Sequence, residues 1–221
     1  MVSKDIYNAG TITTISGNVV TVDTYPDITL LLDENDQITN TNYFMIVDKP
    51  KAGTIEIGVA AEIEGSGTRA VGHSSHAEGN QNIAYGFYSH SEGTMNQSIG
   101  YASHTEGMEN IASNNFAHAE GRRSIASGNA AHAEGLRAYA TGTQAHAEGR
   151  DTVASGAYGS HAEGYKTQAL SRYSHAEGRS TQAGTTNDAD TGGLCAHAEG
   201  NATKAFGDFS HAEGDTTEAT G

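Results

Sequence analysis

Histidine and glutamate recur together along most of this chain, two residues apart and followed each time by glycine. The ten copies follow a fourteen-residue period, apart from one step of 15 and one of 22. An imidazole beside a carboxylate can transfer protons, hold a metal ion or form a hydrogen bond between chains. The ten pairs are His76 and Glu78, His90 and Glu92, His104 and Glu106, His118 and Glu120, His132 and Glu134, His146 and Glu148, His161 and Glu163, His175 and Glu177, His197 and Glu199, and His211 and Glu213.

Catalysis and metal binding are the less favoured uses of these pairs. Ser75 and His76 are neighbours, but neighbours in a strand point to opposite faces, so this imidazole cannot activate that hydroxyl. A metal ion usually marks one special site, whereas all ten copies are alike. We therefore expect no catalytic residue, no cofactor and no metal ligand. An ion held by clustered histidine and glutamate, or a solvent-exposed pair kept by repeat duplication, stays open as an alternative.

The elements that carry the pairs follow from the repeat length. So short a unit cannot bury a core alone, and the units must therefore stack as a solenoid. Glycine returns at nearly every half-period, as at Gly79, Gly86 and Gly93, and each would cost an α-helix about 1 kcal/mol. We predict two short strands per coil with glycine at the corners. Asn114 replaces glycine at one corner, and we expect a positive φ there.

Small residues indicate which side chains face the interior. The residue before each histidine is serine or alanine, and the residue after it is alanine except at Ser91 and Thr105. A second small column runs through the other strand from Ala84 to Ala219. The two sheets of so narrow a coil leave room for nothing larger between them. Histidine and glutamate must then project outward, and we expect stacked imidazoles that bond to glutamates of an adjacent chain.

Other outward positions offer contact surfaces. An apolar column that includes Ile83, Ile99, Ile111 and Ile125 is expected to be buried between chains, because a continuous exposed apolar strip promotes aggregation. Aromatic residues near the corners are expected to be accessible, and rings at corners can stack on sugars. The residues 184–193 interrupt the period and are expected to form a surface loop. Candidate receptor contacts are Tyr88, Tyr101, Tyr173, Asn187, Asp188 and Asp190.

The frame of serine, alanine and glycine at this period resembles the YadA-like head repeat of trimeric autotransporter adhesins. Its His-Ala-Glu-Gly form resembles repeats in phage and prophage tail-fibre proteins. The resemblance covers roughly residues 54–221 and implies a left-handed parallel β-roll that forms a homotrimer. It also implies that the ten histidine and glutamate pairs face the threefold axis, as a trimer interface.

Composition and domain organisation agree with an elongated structural protein. The 221 residues include 28 glycines and no tryptophan, and the net charge of −15 argues against binding to nucleic acids or anionic membranes. We expect a small β-rich domain over residues 1–53 and the repeat shaft over 54–221. No signal peptide or membrane span is visible, and a longer natural chain is expected because the sequence stops in mid-repeat. Strands are predicted at Thr11–Ile15, Val19–Asp23, Ile28–Leu32 and Tyr43–Val47.

The expected protein is an all-β, homotrimeric, non-enzymatic fibre, a receptor-binding or adhesion shaft of a phage tail or related particle. Its expected partners are a host-cell-surface receptor, a glycan in particular, and other particle proteins bound through residues 1–53. The expected location is the virion or the cell surface. A bacterial surface adhesin head is the first alternative. An ice- or mineral-binding array is the second, prompted by a threonine column: Thr152, Thr167, Thr181, Thr203 and Thr217.

Overall fold

A computed structural model describes residues 12–16, 19–22, 25–31, 55–56, 61–185 and 192–220. Near the N-terminus three strands form an antiparallel sheet in chain order. They overlap three of the four strands predicted for this part, and the fourth, at 43–47, lies outside the described residues. These strands are β1 (Ile12–Ser16), β2 (Val19–Val22) and β3 (Tyr25–Leu31).

Each coil of the solenoid contributes one long and one short strand, in two parallel sheets of 11 and 12 strands. The part of the chain that is described contains no helix, and the predicted stack of about eleven coils is confirmed. The long strands are Glu62–Ser66, His76–Asn80, His90–Thr94, His104–Met108, His118–Arg122, His132–Leu136, His146–Arg150, His161–Tyr165, His175–Arg179, His197–Asn201 and His211–Asp215. The short strands are Ile55–Glu56, Arg69–Ala70, Ile83–Ala84, Gln97–Ser98, Ile111–Ala112, Ile125–Ala126, Tyr139–Ala140, Val153–Ala154, Gln168–Ala169, Gln182–Ala183, Lys204–Ala205 and Glu218–Ala219.

The register places equivalent residues of successive coils side by side. His104 pairs with His118, and Glu106 pairs with Glu120. The pairing survives both interruptions of the period, since His146 pairs with His161 and His175 pairs with His197. The extra residues therefore leave the stack at its corners. Residues that recur at one position of the repeat form a column along the solenoid.

The interior is lined by the small columns that the sequence predicts. Ala77 and Ala84, one from each sheet, are fully buried, as are their equivalents in the following coils as far as Ala198 and Ala205. Two coils replace alanine by larger polar residues and satisfy them locally. Thr105 Oγ1 donates to Ser91 Oγ at 2.9 Å and lies 2.7 Å from Ser98 Oγ. A core this narrow keeps the two sheets in contact and leaves the wider side chains outside.

A ladder of buried asparagines, which the sequence analysis missed, ties three coils together. Asn82, Asn96 and Asn110 are fully buried just before the short strands. Asn96 donates from Nδ2 to the carbonyls of Glu92 at 2.5 Å and Gly107 at 2.8 Å, and its Oδ1 accepts from the Asn110 N–H at 2.8 Å. One amide thus satisfies backbone groups of its own coil and the next, which a buried backbone requires.

Later coils fill this position with serine, alanine or threonine. Thr152, Thr167, Thr181 and Thr203 are almost completely buried, so these hydroxyls face the interior. The proposal of an ice- or mineral-binding array depended on an exposed threonine column and is wrong for these four residues. Thr217 alone is exposed, because it belongs to the last described coil and has no coil above it.

The corners use glycine for two different reasons. Gly121 has φ +90°, and a Cβ there would lie 2.2 Å from the carbonyl oxygen of Gly135. Gly128 does not have a positive φ, but a Cβ there would lie 1.8 Å from the carbonyl oxygen of Gly142. The positive φ expected at Asn114 is wrong, because its column requires a close backbone approach rather than a left-handed conformation. Asn114 is exposed and donates from Nδ2 to the Ser127 carbonyl at 3.2 Å.

Candidate functional site

The ten repeat histidines form one continuous stack on the outer face of the long-strand sheet. Ring centroids of neighbouring histidines lie 4.7–4.9 Å apart along the whole column. From His118 to His197 the planes differ by only 3–7°. The spacing is the distance between adjacent strands, so the register of the sheet alone stacks the rings.

Six of the ten imidazoles lie within 4.0 Å of the glutamate two residues further on, because both project from the same face of one strand. The Nε2 to Oε2 distance is 3.3 Å for His118 and Glu120, and 3.4 Å for His76 and Glu78. Stacking covers the rings, since the His118 side chain is 36% exposed whereas that of His211, in the last described coil, is 55% exposed. The column is therefore half-buried within a single chain.

One ring nitrogen of each stacked histidine has no hydrogen-bond partner. The Nε2 atoms of the nine histidines from His76 to His197 are inaccessible to solvent and unpaired within the part of the chain that is described. A buried polar atom without a partner is costly. These nitrogens are the groups through which the column can take up a ligand or a partner.

Burial favours the neutral form of five of these imidazoles. Loss of solvent, together with repulsion by the positive charges of neighbouring His104 and His132, lowers the pKa of His118 to about 4. The same causes, with burial as the largest, lower the pKa of His90, His132, His161 and His197. The sequence left the direction of these shifts open.

The apolar outward residues lie on the short-strand sheet, in two columns and not in one. Ile83 pairs with Gln97, and Gln97 with Ile111, so Ile99 does not belong to the column of the other isoleucines. Ile83, Ile111 and Ile125 are partly buried, whereas Ile99 is 41% exposed. The column continues through Tyr139 and Val153 and becomes polar from Gln168 onward. The apolar strip is therefore shorter than the sequence pattern indicated.

Aromatic rings form a second ladder, at the corner before the histidine strand. Tyr88 and Tyr101 meet edge to face at 5.4 Å, and Tyr101 and Phe116 do so at 5.6 Å. The three side chains are 44–57% exposed, and Tyr173, further along the shaft, is 58% exposed. The expected accessibility of these rings is confirmed.

The backbone at this corner is unusual for large residues. Tyr88, Phe116, Tyr173 and Phe209 have φ of +55° to +58°, a left-handed conformation that bulky side chains rarely adopt. Small or flexible residues, as at Ser74 and Ala102, occupy the same position in other coils. Aromatic residues are thus present here although the backbone does not favour them, which points to a role on the surface.

Ion pairs between successive coils lie at the opposite corner. Arg123 pairs with Glu109 of the preceding coil, and Arg137 Nε lies 2.5 Å from Asp151 Oδ1 of the following coil. The guanidinium of Arg137 lowers the pKa of Asp151 by its hydrogen bond and its charge. These pairs are exposed and contribute little to stability individually.

The remaining candidate contacts, Asn187, Asp188 and Asp190, lie outside the described residues. The described flanks of their loop are held by Ser171, whose Oγ donates to the Gly192 carbonyl at 2.8 Å and accepts from the Thr185 N–H at 3.2 Å. The insertion therefore starts and returns at one corner of the stack.

Two comparisons bear on identity. A search of curated proteins found no match to this chain. The part of the chain that the structure describes includes no helix with the length and hydrophobicity of a membrane span. The YadA head domain repeat matches in two copies, at residues 119–138 and 133–158. These residues belong to the central coils, where the histidine stack is most regular, and the other coils repeat the same strands in register. Residues 119–158 are therefore YadA-like head repeats, and the other described coils share their strand pattern and register.

Proposed function

We propose that this chain is one of three identical subunits of a rigid, non-enzymatic adhesion shaft. The observation that supports it best is the half-buried column of imidazoles and carboxylates, whose Nε2 atoms lack partners within the described chain. A structural role fits the YadA head repeat, whose adhesins are homotrimeric. Such a shaft acts outside the cell, at a cell or particle surface.

In the proposed trimer the ten histidine and glutamate pairs face the other two chains. Within one chain the His90 and His175 side chains are each only 35% exposed. Contact between chains would cover this remaining surface. Thirty carboxylates along one axis would repel one another, so each needs an imidazole or another donor beside it. The partly buried apolar column from Ile83 to Val153 supplies a second contact surface.

Adding negative charge to the column is expected to dissociate the trimer. His132→Asp would add three carboxylates at one level of an axis that already carries thirty, and would remove the imidazoles beside them. Sedimentation equilibrium should give three chains for the parent protein and a lower mass for His132→Asp at the same concentration. Gln168→Lys adds a charge at an exposed position of the other sheet and should stay trimeric. A parent protein with the mass of one chain would contradict the proposal.

The shaft belongs, we propose, to a phage tail or a related particle, because the His-Ala-Glu-Gly form of the repeat resembles tail-fibre repeats. Residues 1–53 would attach it to other particle proteins. A bacterial surface adhesin head is the second candidate, favoured by the match to the YadA head domain repeat. Genes for tail structure beside this one would support the first candidate, and genes for cell-surface export would support the second.

The receptor that we propose is a glycan, bound by the aromatic ladder and by the loop that contains Asn187, Asp188 and Asp190. Tyr88, Tyr101 and Phe116 present exposed rings over three successive coils, which fits a chain of sugars better than a compact ligand. On a panel of immobilised cell-surface glycans, Tyr101→Ala should weaken binding roughly tenfold. Tyr165→Ala removes a ring at the opposite corner, between Arg150 and Lys166, and should bind as the parent does. Equal binding by Tyr101→Ala would exclude this ladder as the receptor site.

A further inference from the structure

We propose that the histidine and glutamate columns bind Zn²⁺, with His118, Glu120 and His132 as the best-formed site. Nothing in a structural shaft requires such an ion, so the site goes beyond the proposed function. All its protein ligands come from one chain. Three observations carry the inference: the clustering of the donor atoms, the unpaired nitrogens, and the differences between copies.

The donor atoms are already close to the positions that the ion needs. A tetrahedral Zn²⁺ with ligand bonds near 2.1 Å places its donors roughly 3.4 Å apart. His118 Nε2 and Glu120 Oε2 lie 3.3 Å apart, and one donor atom from each of the three residues lies within 4.8 Å of the others. Rotation of the His132 side chain can close the remaining distance. Two imidazoles and one carboxylate form a ligand set that suits this ion.

The nitrogens form no hydrogen bond that the ion would have to break, and within the described chain the only carboxylate that His118 Nε2 contacts is that of Glu120, its proposed co-ligand. Nε2 of both His118 and His132 lacks a hydrogen-bond partner. Two imidazoles and one carboxylate leave a fourth coordination position for water or for a donor from a neighbouring chain.

Copies of the motif that are alike in sequence differ in how closely their donor atoms lie in the structure. Within the described chain the donors gather into four groups that share no residue, three with two histidines and one glutamate and one with the reverse. The other groups are His90, Glu92 and His104; His175, Glu177 and His197; and Glu134, His146 and Glu148. The uniformity that argued against a metal site in the sequence thus does not hold in three dimensions. We expect no more than four ions per chain, well below one per histidine.

Calorimetric titration of the metal-free full chain with Zn²⁺ tests the site. The parent should bind up to four ions saturably, and the double variant His118→Gln/His132→Gln should bind one fewer. Glu120→Gln keeps the shape of the side chain and should weaken one site roughly tenfold or more, which covers the case in which the double variant fails to fold. His73→Gln removes the one histidine outside the column and should bind like the parent.

Co²⁺ provides a second readout, because its visible absorption is intense in a four-coordinate site and weak in a six-coordinate one. A four-coordinate spectrum that loses intensity in Glu120→Gln supports the proposal. No binding by the parent, about ten equal weak sites, or unchanged stoichiometry and affinity in both column variants would overturn it. Sedimentation with and without Zn²⁺ separates this question from the proposed function, because a single chain that binds Zn²⁺ at these residues refutes only the trimer.

Discussion

Replacing Gly121 by alanine is expected to destabilise the stack on the order of 3 kcal/mol, through a clash and an unfavourable backbone conformation together. The new Cβ would lie 2.2 Å from the carbonyl oxygen of Gly135 and 2.9 Å from its carbonyl carbon. Both contacts are with the backbone of the next coil, so no side-chain rotation relieves them. The two coils must separate, and the hydrogen bonds between their strands weaken. Chemical denaturation followed by circular dichroism measures the loss.

A variant at Gly214 distinguishes the clash from the cost of the backbone conformation. It has φ +109° in the same column, but a Cβ there would meet only Thr217 Cγ2, at 3.7 Å. Gly214→Ala therefore costs only the left-handed conformation, about 1–2 kcal/mol. Equal losses for the two variants would mean that close coil stacking does not require glycine, and the packing described here would be wrong at its corners.

Replacing Asn96 by alanine is expected to cost about 3 kcal/mol, because it removes three hydrogen bonds to backbone groups in the interior. These are the carbonyls of Glu92 and Gly107 and the N–H of Asn110. Each buried group left unpaired costs about 1–3 kcal/mol, and relaxation of the coil recovers part of the sum. The free energy of unfolding, from denaturant titration, measures the effect.

Two control variants test whether the buried hydrogen bonds cause the loss of stability in Asn96→Ala. Asn96→Ser should lose less, because Ser124 occupies the equivalent position and its Oγ donates to the Gly135 carbonyl at 3.1 Å. Asn201→Ala removes a hydrogen bond that the Asn201 side-chain amide donates to Asp215 Oδ1 at 2.6 Å. This bond also joins equivalent residues of successive coils, but it lies on the surface. That change should cost less than about 0.5 kcal/mol. A loss for Asn96→Ala as small as for Asn201→Ala would show that the ladder does not hold the coils together.

The regular part of the fold is predictable because one constraint repeats. Alternation along a strand and the small residues on both sides of each histidine fix the interior, and Ala77 and its equivalents are buried as expected. The same alternation places Thr152 inside, since Val153 points outward from the short strand. A threonine column that lies inside cannot form the ice- or mineral-binding face that it prompted as an alternative.

Other features follow from backbone geometry, which the sequence does not display. Asn82, Asn96 and Asn110 recur once per coil, a visible signal, but polar residues are rarely assigned to a core before the backbone groups that need them are known. The left-handed conformation of Tyr88 and Phe116 contradicts the usual preference of aromatic residues. The separation of the proposed metal-binding groups depends on side-chain orientation, so ten nearly identical motifs cannot reveal it.

A cryo-electron microscopy or crystal structure of the purified protein tests the central claim most directly. The account predicts three chains around one axis, with His132 and Glu134 of each chain within hydrogen-bond distance of another chain. It also predicts alanine and serine inside every coil. A single chain, or an assembly in which the histidine and glutamate columns face water, would contradict it.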